Sequence, residues 1–372
     1  MLVHDCQAVV IPRRQRSQID RARGGRYFVS EPLSWRGTIV SKLTLVAGAG
    51  GFIGGHLVRD LLAKGVAVRA VDKKPLEEWY FQSPQAENLV ADLQLAEACD
   101  KASNGVVNVY NLACDMGGMG FIESNRARCM LSVLISTHML LAAQKQGVER
   151  FFYSSSACIY PAYKQTNADV TALKESDAYP ADCEDGYGWE KLFTERLCRH
   201  FREDFGIKTR IARYHNVYGP YGTWDGGREK APAAVSRKVA MAVISGKHEI
   251  EIWGDGLQTR SFMYIDDCLH GSQMLLHSDV EEPLNVGSDE LVTINQLVDV
   301  VEEIAGIKLK RNYKLDAPKG VRGRNSDNTL IKAKLGWAPS IPLRVGMEKT
   351  YRWIYDQAKA REEGRPYIAA AA

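Results

Sequence analysis

The chain has 372 residues, 45% of them hydrophobic and 25% charged, with a formal net charge of +3. That is long enough for one large or two ordinary domains of average globular composition, and too weakly charged to argue for a nucleic-acid or membrane partner. Eight cysteines stand singly with no CxxC pair, which argues against a metal site and a disulfide framework and points to a reducing cytoplasm.

Residues 1 to 40 hold seven Arg, no Lys and three acids. They are expected to be a loosely ordered extension, with an Arg-rich, acid-poor organellar transit peptide as the alternative. No apolar run reaches the ~18 residues of a membrane span. The fold is expected to begin at Lys42–Ala47, a buried strand. Gly48-Ala-Gly-Gly51-Phe52-Ile53-Gly54 follows at once, then a helix from Gly55 to Lys64 and a second strand, Gly65–Val71, ending in Asp72. The glycines let a backbone approach a pyrophosphate held at a helix N-terminus. Asp72 is placed to accept from a ribose hydroxyl, which favours NAD over NADP. Asp92, beyond a third strand, faces an adenine or caps the next helix. Val106–Leu112 is a fourth strand, running into the Gly- and Met-rich loop Ala113–Gly120. Met130–Gln146 reads as a helix stopped by Gly147.

Phe151–Tyr153 reads as the end of a central strand, by its aromatic enrichment. Ser154, Ser155, Ser156, Ala157 and Cys158 follow where that strand leaves the sheet, which is where ligands bind in open α/β sheets. Tyr187 and Lys191 lie four apart, on one face of a helix. An ammonium beside a phenol favours the phenolate, making Tyr187 a base near neutral pH.

Beyond the strand Ile207–Ala212 and the segment Arg213–Pro220 the alternation of strand and helix breaks down. The domains expected are therefore a Rossmann-type NAD-binding domain over 41–220 and a smaller α/β substrate-binding portion over 221–360, with 262–285 returning to the main sheet. Within the second portion, Ala231–Ser245 reads as a helix and Glu249–Trp253 as a strand. Arg260, Arg322 and Arg324 fall in loops, and Arg forks suit phosphates.

The Gly turn, the Ser156/Tyr187/Lys191 set and RYHNVYGP (213–220) resemble the extended short-chain dehydrogenase/reductases that act on nucleotide sugars. ACDMGGMGFIESN (113–125), FFYSSSACIYP (151–161), GTWDGGREKAPAA (222–234), WGDGLQTRSF (253–262) and GVRGRNSDN (320–328) are similar to the GDP-mannose 3,5-epimerases within that group. The similarity runs from about residue 42 to 356 and leaves out the N-terminal extension. It implies a doubly wound fold, bound NAD, a GDP-sugar substrate and a homodimer. It also implies transient oxidation at C4 by Tyr187, Lys191 and Ser156, with Cys158 and Lys230 as the acid/base pair at C3 and C5. The cofactor set implied is Gly48, Gly51, Phe52, Ile53, Gly54, Asp72 and Asp92 with Tyr187 and Lys191. The substrate set is Gly117, Ser156, Ala157, Cys158, Asn216, Glu229, Lys230, Ala231, Lys238, Gln258, Thr259, Arg260 and Arg324.

The family carries Asn where this chain has Ser132, and Ala where it has Cys114. The first change bears on the nicotinamide pocket, and the second leaves another thiol near the site. A UDP-sugar 4-epimerase needs no acid/base pair at C3 and C5, and a non-catalytic NAD-binding regulator would not need Tyr187 and Lys191. A 4,6-dehydratase would carry an Asp-Glu pair where Ala157-Cys158 stands.

Overall fold

The computed structural model describes residues 42–317 and 320–368; the N-terminal extension lies outside them. Seven strands form one parallel sheet: β1 (Leu43–Ala47), β2 (Val68–Asp72), β3 (Glu87–Val90), β4 (Val106–Asn111), β5 (Arg150–Ser156), β6 (Lys208–Tyr214) and β7 (Leu284–Val286). Their spatial order is β7-β6-β5-β4-β1-β2-β3, and every neighbouring pair is parallel. The order reverses between β1 and β4, and ligands gather at such a switch point.

A parallel sheet covered on both faces needs strands that are apolar on both sides. Along β5, Phe151 and Tyr153 enter one core while Phe152 enters the other, because successive side chains point to opposite faces. All three are at most 1% exposed. Emptying one such position, as in Phe152→Ala, costs about 3–5 kcal/mol, so β5 holds both halves of the fold together.

Among the helices are α1 (Phe52–Ala63), α2 (Ala96–Ser103), α3 (Ser132–Lys145), α4 (Asp185–Phe205), α5 (Ala231–Ser245) and α6 (Ile265–His277). The start of α1 is three residues earlier than the expected Gly55. The glycines do not delay the helix; they let it dock. A Cβ on Gly54 would stand 2.0 Å from the Gly48 carbonyl oxygen. Helical chain also begins earlier than expected before α3, at Arg126–Met130, with a single turn residue at Leu131, and a short helix (Met119–Ser124) opens inside the expected 113–120 loop. Gly206, at φ 74°, ends α4 in the left-handed conformation that favours glycine.

Residues from 41 onward make one compact unit. After α6 comes β7, which adds to β6 through Leu284↔Ala212 to Val286↔Tyr214. Of the three arginines expected in loops, two are on strands. Thr259–Ser261 and Gly323–Arg324 pair in parallel, with Arg324 directly beside Arg260. Arg322 lies just outside and pairs with Asp255 at 2.8 Å.

Candidate active site

A cavity of about 430 Å³ opens at the carboxyl ends of β1, β2, β4 and β5. Gly48, Gly51, Phe52, Ile53, Gly54, Asp72 and Asp92 all line it, with Ser154, Ser155, Ser156, Tyr187, Gly117 and Lys230. The N-cap of α1 is Gly51, and no side chain caps it, so the first-turn N–H groups face the cavity free to meet an anion. Asp72 accepts from the Gly50 and Lys74 N–H groups, each at 3.1 Å, which fixes its carboxylate at the end of β2. Asp92 turns the chain by accepting from the Gln94 N–H at 2.9 Å while still lining the cavity; α2 begins only at Ala96. This glycine cradle, uncapped helix end and fixed acid fit a dinucleotide.

Tyr187 and Lys191 sit one turn apart on the buried face of α4. Lys191 Nζ is 5.5 Å from the Tyr187 ring centre and 4.9 Å from that of Tyr153. Burial opposes the Lys191 charge, but the Cys114 sulfur and the Glu190 carboxylate outweigh it, so the ammonium is held above its ordinary value. The Tyr187 phenol departs from the expected lowering. Burial drives it well above the usual phenol range, Cys114, Cys158 and Glu190 push it further, and the Ser156 hydrogen bond pulls it back. In so dry a site the cost of desolvating a phenolate exceeds what the neighbouring ammonium returns.

Cys158 lies in the short turn Ala157–Ile159 after β5, where the Ser156 hydroxyl accepts from its N–H at 3.2 Å. It packs against Tyr187, Cys129 and Ile122. Arg324 Nη1 donates to its sulfur at 3.6 Å, and Arg324 Nε donates to Gln165 at 2.6 Å. The same guanidinium pairs with Glu184. Arg260 is also within electrostatic reach of Cys158, although burial lowers this guanidinium to about 10. Lys230 caps the N-terminus of α5 and lines the cavity. Burial lowers its ammonium, with the Cys158, Cys114 and Cys268 sulfurs opposing. Tyr187, Cys158 and Lys230 therefore converge from α4, the end of β5 and the start of α5.

The remaining residues implied for the substrate are spread more widely. Ala157 is buried beside Cys158, and Ala231 opens α5. Asn216 donates to the Ser261 carbonyl at 3.1 Å, tying the end of β6 to the arginine-bearing strand. Thr259 donates through its hydroxyl to the Ala168 carbonyl. Glu229 pairs with Arg237 at 2.9 Å and accepts from the Gly227 N–H. Lys238 donates to the Glu251 carbonyl at 2.7 Å, 5.8 Å from the Trp253 ring centre. Gln258 donates to the Trp253 carbonyl at 2.9 Å, and its buried Oε1 has no hydrogen-bond partner. A buried acceptor left open in this way suits a ligand donor.

The two departures from the family pattern land differently. Ser132 is buried outside the cavity lining, where its hydroxyl accepts from the Asp115 N–H at 2.9 Å. Cys114 lines the cavity and is close enough to Lys191 to help hold its ammonium above the ordinary value. Asp115 carries no sequence motif of its own, yet it is 8% exposed and meets Arg128 at 2.6 Å, Arg228 at 3.0 Å and Lys73 at 3.4 Å. Burial pushes its carboxyl up, but these cations outweigh burial and hold it below the usual range. Lys73 and Lys74 stand directly after Asp72 and were a visible signal. The convergence of Arg128 and Arg228 had none, since they are 100 residues apart in the chain.

The fold and this site define a dinucleotide-binding enzyme of the doubly wound kind. The family model for the NAD dependent epimerase/dehydratase family matches residues 44–287, and the chain belongs to that family. It is similar to GDP-mannose 3,5-epimerase 1 of Oryza sativa subsp. japonica, with 51% identity over 313 residues, covering 84% of this chain and 81% of the relative. Among solved structures, it resembles the UDP-glucose 4-epimerase of Thermotoga maritima with UDP-glucose, at TM-score 0.76 and 26% identity, over 84% of this chain and 99% of that one. It also resembles the UDP-glucuronic acid 4-epimerase of Bacillus cereus in complex with UDP-glucuronic acid and NAD, at TM-score 0.71 and 25% identity, over 84% and 99%.

Proposed function

We propose that the chain is a GDP-mannose 3,5-epimerase, converting GDP-D-mannose to GDP-L-galactose, and to GDP-L-gulose when only C5 inverts. The observation that carries this reading is the convergence of Cys158 and Lys230 on Tyr187; a 4-epimerase has no use for that extra pair. The 51% identical relative of the same name supports it.

Gly48, Gly51–Gly54, Asp72 and Asp92 would hold NAD, which supplies a reversible hydride acceptor for C4. Tyr187 takes the proton of the C4 hydroxyl in its ionised form, which burial opposes and Ser156 favours, and which the Lys191 ammonium and the positive nicotinamide of bound NAD would stabilise further. The resulting 4-ketone acidifies C3–H and C5–H, because the carbanion at either carbon is conjugated with the carbonyl. Cys158 and Lys230 act as the acid/base pair: a proton leaves one face of each carbon and another is added to the opposite face. Arg324 and Arg260 offset the negative charge when Cys158 has lost its proton. Return of the hydride to C4, with Tyr187 giving its proton back to the C4 oxygen, would restore the hydroxyl, so no second substrate is consumed. With Arg324 and Arg260, the substrate contacts would be Gly117, Asn216, Glu229, Lys238, Gln258 and Thr259.

We also infer a homodimer. Met130, Leu134, Leu141, Trp189 and Phe193 are exposed on the adjacent 126–145 segment and α4. Although no run of membrane-spanning length was expected, Arg126–Lys145 is long and apolar enough to be one, yet Cys129, Ile135, Met139 and Leu140 on it are packed inside. An apolar face of this kind on two neighbouring helices suits a second copy, and Phe193→Glu should convert the dimer to monomer in light scattering. A cytoplasmic location is inferred from the seven free cysteines among the described residues; imaging of the full-length tagged protein tests it.

The deciding experiment incubates the protein with GDP-mannose in heavy water. Deuterium at C3 and C5, in galacto- and gulo-configured products, is expected. Turnover with no carbon-bound deuterium would overturn the Cys158/Lys230 assignment.

A further inference from the structure

Glu190 is a buried carboxylate that the reaction as described does not use. It lies on α4 directly before Lys191, 3% exposed as a residue and 0% in its side chain. One oxygen, Oε1, accepts from the Tyr153 hydroxyl and from Thr194 Oγ1, each at 3.2 Å. The other, Oε2, has no hydrogen-bond partner and stands 3.7 Å from Lys191 Nζ. Adjacent residues on a helix do not normally face one another. Here two hydroxyls hold the Glu190 side chain so that its open oxygen comes back toward the ammonium.

We propose that Glu190 is a positioning residue for the Tyr187/Lys191 pair: anchored by Tyr153 and Thr194, its carboxylate fixes the Lys191 ammonium and sets how much of that positive charge reaches Tyr187. A buried ammonium without a counter-charge loses its proton. With Glu190 beside it the cation survives burial, but the pair has little net charge, so Tyr187 gains less from Lys191 than a lone cation would give. The other groups facing this cluster are the Tyr153 phenol from β5, Cys114 and Asp115 from the loop after β4, Cys158 after β5, Cys198 on α4 and Lys230 at the start of α5. Two further cations act on these thiols, Lys230 on Cys114 and Arg202 on Cys198, where Glu195 opposes it. Glu190 is the carboxylate that stands within ion-pair reach of Lys191, at 3.7 Å, and so the anion set to divide its charge. This role rests on Tyr187 being the base at C4.

The test is the pH profile of turnover on GDP-mannose by Glu190→Gln. Gln keeps an oxygen for Tyr153 and Thr194 but removes the charge. Without the anion Tyr187 ionises more readily, so the acid limb moves to lower pH. Lys191 loses its partner, so the alkaline limb also moves to lower pH. Both shifts are expected to be about one pH unit. A structural role alone would lower the rate at every pH and leave both limbs in place, and that result overturns the proposal. Should Glu190→Gln fail to fold, Glu190→Asp retracts the carboxylate by one methylene and makes the same comparison: displaced limbs support the proposal and unmoved limbs overturn it. Tyr187→Phe is measured alongside. If it still oxidises C4, the reading of Tyr187 as the base fails; if it does not while the Glu190→Gln profile is unchanged, only the role of Glu190 fails.

Discussion

Arg324 places Nη1 3.6 Å from Sγ of Cys158, and the strand that carries it sets it in register with Arg260. A guanidinium is charged throughout the working pH range and fixed in geometry, so it can stand against a sulfur anion without losing its own proton. Arg324→Gln should therefore slow deuterium exchange at C3 and C5 by about 10²–10³-fold, the usual cost of removing one charge-stabilising donor. NADH formed transiently on mixing with GDP-mannose should persist, since C4 oxidation does not depend on Cys158. Equal loss of both signals would place Arg324 in substrate binding instead.

Cys158→Ser and Lys230→Ala separate the steps in the same way. Each should cut exchange at C3 and C5 by about 10²–10⁴-fold while C4 oxidation survives. Tyr187→Phe should do the reverse, removing oxidation and exchange together because no 4-ketone forms. Bound dinucleotide, measured by extraction, should remain in all three.

The cofactor loop depends on one close backbone approach. A Cβ at Gly54 would lie 2.0 Å from the Gly48 oxygen, so Gly54→Ala must displace α1 from the loop. The expected cost is about 1–3 kcal/mol of stability, read as a fall in Tm, together with loss of co-purified NAD. Gly65 supplies the contrast. Its φ is +75°, with nothing within 4 Å of an added Cβ. Gly65→Ala should cost about 1 kcal/mol through backbone strain and leave NAD content unchanged.

Two buried histidines predict the acid stability of the fold. Burial lowers both His56 and His215 from 6.5 to about 4, against hydrogen bonds to Pro220 and Asn285. The unfolded chain therefore takes up these protons first as pH falls. Their contribution is complete above about pH 6.5 and is lost as pH drops toward 4, on the order of 3 kcal/mol for each group. Denaturant midpoints measured between pH 7 and pH 4 should fall accordingly, and His215→Gln should flatten that slope. An equal slope in the variant would remove His215 from the account.

The local parts of the fold can be read from the chain alone. The Gly48–Gly54 turn between an apolar strand and a helix, Asp72 at the next strand's end, and Tyr187 and Lys191 four apart are each legible because strand alternation, helix periodicity and glycine geometry act over a few residues. The helix Ala231–Ser245 and the strand Glu249–Trp253 were legible to the residue, since Gly246 and the alternating EIEIW bound them. Element starts were less legible wherever packing decided them, as at α1, where glycine serves docking within the helix. The electrostatics of the site exist only once the chain is folded. Asp115 gathers Lys73, Arg128 and Arg228 from three segments, and Cys158 meets Arg324 from 166 residues away. The Tyr187 phenol, expected to be lowered by its lysine, is raised instead. The spacing of Tyr187 and Lys191 is written in the chain, but the desolvation that outweighs their attraction comes from residues that only folding brings around them.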